Sequence, residues 1–184
     1  MSDLHGEIAS VLDFWFTETQ PRQWFVKDAA FDAEIVRRFA GLHARAIAGD
    51  LSSWETHADG ALALVIVLDQ FSRNMFRDTQ QAFAQDIQAL AIAKRAIERG
   101  FDHQVDELRR SFFYLPFEHS EALCEQERAI ALFEAMGNKE LLEWAQKHKI
   151  IIERFGRFPH RNKVLGRVSS DEERDFLSQD GSSF

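Results

Sequence analysis

The chain has 184 residues, 45% hydrophobic and 28% charged, enough for one globular domain over residues 1–184 with a substantial core. Thirty acidic residues outnumber 22 basic ones, and the net charge of -8 excludes nonspecific nucleic-acid or anionic-membrane binding as the main activity, since both need a basic footprint. The single Cys124 excludes an internal disulfide framework and a cysteine-based zinc cluster.

Residues 3–16 place Ile8, Val11, Leu12 and Trp15 at helical spacing, with no basic segment or long apolar run of the kind a secretory signal needs. Residues 17–27 read as a loop around Gln20-Pro21, with Trp24-Phe25 folded back onto the core. Asp28 caps a helix carrying Phe31, Ile35, Phe39, Leu42 and Ala46, and Gly49 ends it. The Val/Ile-rich stretch 61–68 reads as a buried helix rather than a strand, because Ser72 and Met75 extend its apolar stripe. It is far too short to span a membrane, so a soluble, cytoplasmic protein is expected.

Thr79 caps the next helix, with Phe83, Ile87, Leu90, Ala91 and Ile97 as its stripe and Gly100 as its stop. A short helix from Asp102 or Asp106 reaches Tyr114. Pro116 interrupts it or opens the next, which runs to Met136 and stops at Gly137. Asn138 begins a helix ending at Phe155-Gly156, and Ser170-Asp-Glu-Glu173 fits a capping box before a last helix. The fold class is therefore all-α: one domain of antiparallel helical hairpins.

Between these last helices lies Arg154-Phe-Gly-Arg-Phe-Pro-His-Arg-Asn-Lys-Val-Leu-Gly-Arg167, with four arginines, one lysine, one histidine and no acid. Such a density of fixed cations in an acidic protein needs a counter-charge, from the chain itself or from a ligand. Counting outward from the tight Gly137-Asn138 turn brings Glu118, His119 and Glu121 against the start of this loop, and sets Gln126 level with His148 on the core stripes of their helices. A buried polar group without a partner costs about 1–3 kcal/mol, so His119, Gln126 and His148 should be bonded to something. Leu123, Ile130 and Phe133 mark one core stripe, and Leu141, Trp144, Ile152 and Phe155 the other. A second polar segment holds Asp69, Arg73, Asn74 and Arg77. Asp69 and Arg73 stand at i, i+4 and can pair. The step Arg73-Asn74 also repeats as Arg161-Asn162, so a joint anion site is conceivable.

Three motifs, Leu68-Asp-Gln-Phe-Ser-Arg-Asn-Met-Phe-Arg77, Tyr114-Leu-Pro-Phe-Glu-His-Ser-Glu121 and Arg154-Phe-Gly-Arg-Phe-Pro-His-Arg-Asn162, make the chain resemble the bacterial domain of unknown function 924 family. Similarity covers nearly the whole chain, and Ser72, where that family more often has Pro, is a mild departure. The resemblance implies an all-helical fold similar to tetratricopeptide-repeat superhelices. It implies no activity, substrate, cofactor or catalytic residue.

Three functional classes follow from the residues. The first is a binding module for a small anionic ligand or acidic peptide, using Asp69, Arg73, Asn74, Arg77, Gln126, Arg157, His160, Arg161 and Asn162. The second is an enzyme in which His148 or His119 is the acid/base group and Glu118 or Glu121 its partner. The same groups with His160 would supply metal ligands, but no His-Glu-x-x-His or similar spacing supports that. The third is a purely structural polar network in a protein-interaction module. No cofactor is indicated.

Overall fold

The computed structural model describes residues 2–24, 26–179 and 181–182, and every regular element among them is helical. The chain divides into two units, residues 1–77 with 81–116, and residues 78–80 with 117–184.

In the first unit, Ile8, Val11, Leu12 and Trp15 are all buried on α1 (Ser2–Asp13) and the π-helical turn Phe14–Glu18 that prolongs it. The region read as a loop contains a short helix, α2 (Pro21–Trp24), with Pro in the first turn, where its missing N–H costs nothing. Trp24 is buried and its indole N–H donates to the Trp15 carbonyl at 3.0 Å. Phe25 lies outside the described residues. Rings of Trp15, Trp24, Phe31, Phe71 and Phe112 then pack at 5.1–6.1 Å centroid separations into an aromatic core.

Asp28 caps α3 (Ala29–Ala48), its Oδ1 accepting the N–H groups of Ala30 and Phe31 at 2.9 and 3.1 Å. The Val/Ile-rich stretch is helical, as its stripe predicted: α4 (Ala58–Val65) runs through a π-helical turn (Ile66–Phe71) into α5 (Ser72–Met75), and residues 60–72 are all buried. Asp69 and Gln70 lie in this π-helical turn and are buried with the apolar residues.

On α6 (Asp86–Glu98) the stripe differs from the one expected. Ala89, Ile92, Ala93 and Ala96 are buried, while Ile87 is 85% exposed. Small alanines let α6 lie close to α4, and that close approach outweighs the larger hydrophobes in choosing the inner face. The following helix, α7 (Glu107–Glu118), continues through Pro116 instead of ending near Tyr114.

The second unit takes α7's last residues, Phe117 and Glu118. Next comes α8 (Leu123–Met136), which starts later than expected, so His119 lies in the preceding turn and not on its stripe. Gln126, Ala129, Leu132 and Phe133 are its buried residues, and Leu123 is largely exposed. Gly137, at φ 78, makes the left-handed turn into α9 (Lys139–Phe155), capped by the Asn138 side chain. Ala145, His148, Ile151 and Ile152 face inward. Trp144, expected in that stripe, is 43% exposed, and the Lys147 ammonium sits 4.0 Å from its ring centre. Ser170 and Glu173 form the expected capping box of α10 (Asp171–Leu177). No described helix is long and apolar enough to cross a membrane.

Candidate functional site

The turn between α7 and α8, residues 119–122, is where the second unit gathers its polar groups. Helix α7 ends at Glu118, which leaves its last carbonyls without intrahelical donors. Gln126 supplies the missing donor. Its fully buried amide Nε2 lies 2.6 Å from the carbonyls of both Glu118 and Ser120, and 3.5 Å from that of Phe117. Helix α8 thereby caps the end of α7.

Glu118, at that same end, turns its carboxylate to His148. The distance from Oε1 to Nδ1 is 2.9 Å, both residues are buried, and Nδ1 also stands 2.9 Å from the Trp144 carbonyl. Phe158 meets the imidazole edge-on, with centroids 5.7 Å apart at 81°. An Nδ1–H shared between a carboxylate and a helix carbonyl fixes the ring's tautomer and tilt. That is the arrangement general acid/base chemistry uses for a histidine, and equally one that satisfies a core histidine.

The basic loop wraps the other carboxylates. Glu121 receives three donors: the Phe158 backbone N–H at 2.9 Å, and Arg167 through Nη1 and Nη2, each at 2.8 Å. Burial pushes the Glu121 carboxyl up, but those hydrogen bonds and the nearby Arg161 charge outweigh it and hold it below its ordinary range. Arg157 forks Glu173, Nε to Oε1 at 2.7 Å and Nη2 to Oε2 at 2.8 Å, and Nη2 reaches the Val168 carbonyl at 2.9 Å. Arg161 lays its guanidinium 4.5 Å from the Phe158 ring centre and donates to the His119 carbonyl at 2.9 Å. His160 sits beside Phe158, ring centroids 5.6 Å apart. Asn162 is buried, its Nδ2 donating to Ser169 Oγ at 3.1 Å, and its Oδ1 has no hydrogen-bond partner among the described residues.

The first unit engages its own candidates. Asp69, fully buried, accepts from Gln70 Nε2 at 2.6 Å and lies 3.1 Å from Arg73, the i, i+4 pairing expected. Arg73 also forks Asp86 at 2.9 and 3.1 Å. Asp32 accepts from Asn74 at 2.8 Å and from Arg77 at 2.7 and 2.8 Å. Arg73-Asn74 and Arg161-Asn162 therefore each have partners within their own unit.

Asp32, Asp86 and Glu173 were not singled out by sequence reasoning as members of these clusters, and Arg167 was read only as one of the four arginines of the basic loop. Glu173 left a signal of its own, the capping box. Its carboxylate does two jobs at once, accepting the Ser170 N–H at 2.7 Å and the Arg157 fork. Cys124 is exposed on α8. Among the described residues, no three His, Cys, Asp or Glu side chains gather closely enough to hold a metal ion.

No curated protein matches the chain. A solved structure of a protein of unknown function from Agrobacterium tumefaciens is similar at 44% identity with a TM-score of 0.90, over 94% of this chain and 97% of that one. The sequence pattern of the family described as bacterial protein of unknown function (DUF924) matches residues 11–181. With both unit cores, the capped turn and the basic loop inside that span, the chain belongs to the DUF924 family of bacterial proteins.

Proposed function

We propose that this protein is a binding module that recognises carboxylate groups on an acidic peptide, using the loop of residues 154–167. The observation supporting this reading is that two arginines of the loop each fork a carboxylate. Arg167 forks Glu121, to which the loop's Phe158 N–H adds, and Arg157 forks Glu173, whose further donor, the Ser170 N–H, belongs to the cap of its own helix. A planar guanidinium with a backbone donor beside it matches both oxygens of a carboxylate, a geometry a single ammonium does not reproduce. Arg157 and Arg167 are each about one-third exposed, so a competing acid can approach them from solvent.

Hexaglutamate is the probe. Added to the full chain at constant ionic strength, it is expected to raise the melting temperature saturably, and Arg157→Ala is expected to abolish the rise. A response equal to that of sodium chloride at the same ionic strength rejects the reading.

The 2.9 Å contact between Glu118 and His148 favours a second reading, acid/base catalysis by His148 with Glu118 orienting it. A panel of ester and phosphoester substrates tests it. If no turnover depends on His148 when wild type is compared with His148→Gln, that reading is discarded.

A further inference from the structure

We draw no further inference here: the strongest candidate, the outer face of α6, where Ile87 is 85% exposed at helical spacing from the partly exposed Leu90 and Ala91, carries nothing because nothing in the structure shows what covers it.

Discussion

Arg157 grips both oxygens of Glu173, at 2.7 and 2.8 Å, across 16 residues of chain. That fork joins the basic loop to the C-terminal helix, while Glu173 also closes the cap of its own helix through the Ser170 N–H. One carboxylate therefore couples local helix order to the loop's position.

Replacing Arg157 with Ala leaves a buried carboxylate with only part of its donor set. The variant is expected to be less stable than wild type, because the carboxylate loses its strongest partner. Arg157→Lys should recover little, because an ammonium does not span both oxygens. Hydrogen exchange over residues 171–177 checks this: both variants should exchange faster there, and unchanged protection in Arg157→Ala would refute the fork as the anchor of α10.

Acid should release the same helix. The Arg157 hydrogen bond, opposed by burial and aided by the Ser170 N–H and the Asn162 side chain, lowers the Glu173 carboxyl from its ordinary 4.5 to about 2. On acidification the unfolded chain takes up this proton first, so the contribution is fully present above about 4.5 and is lost as pH falls from there towards 2. Glu121 is depressed as well and adds in the same direction. NMR of the Phe176 ring against pH should show α10 leaving over that window. A Glu173→Gln variant should show a flatter profile.

A second pH dependence belongs to the first unit. His43 is buried with Nε2 2.8 Å from Ser72 Oγ, and the Ser72 hydroxyl donates to the Leu68 carbonyl at 2.6 Å. With that hydroxyl hydrogen committed, Nε2–H is the donor to Ser72. Burial holds the imidazole below its ordinary 6.5, so the unfolded chain binds the proton first. Stability should therefore fall as pH drops below about 6.5. Urea denaturation at pH 7.5 and 5.5 should show the loss in wild type and a smaller one in His43→Gln.

Gly60 and Gly41 should respond oppositely to alanine. Both lie within helices, where alanine is favoured by about 1 kcal/mol on propensity. A Cβ on Gly41 meets nothing within 4 Å, and Gly41→Ala should stabilise. On Gly60 it would stand 2.2 Å from the Trp54 carbonyl oxygen and 2.5 Å from the His57 ring. Backbone must shift to admit it, so Gly60→Ala should destabilise by about 1–3 kcal/mol despite its propensity. Thermal melts of the two variants decide, and a more stable Gly60→Ala would contradict the close packing of residues 54–60.

Features written in a few neighbouring residues were legible in the sequence: Asp28, Asn138 and Ser170 as caps, Gly137 as a stop, the buried helix over 61–68, and the pairing of Asp69 with Arg73. Each depends on contacts within about one helical turn, where spacing alone sets distance. The hairpin count also brought Glu121 to the basic loop, because a two-residue turn leaves its helices little choice of direction. Tertiary structure decided the rest. It turned Trp144 and Ile87 outward, carried α7 through Pro116, and gave Arg157 to Glu173, Arg167 to Glu121, Arg77 to Asp32 and Arg73 to Asp86. Thirty acids and 22 bases allow many neutral pairings at no local cost, and composition cannot rank them. The basic loop needed a counter-charge by composition alone; which carboxylates supply it depends on where packed helices hold each group when the chain folds.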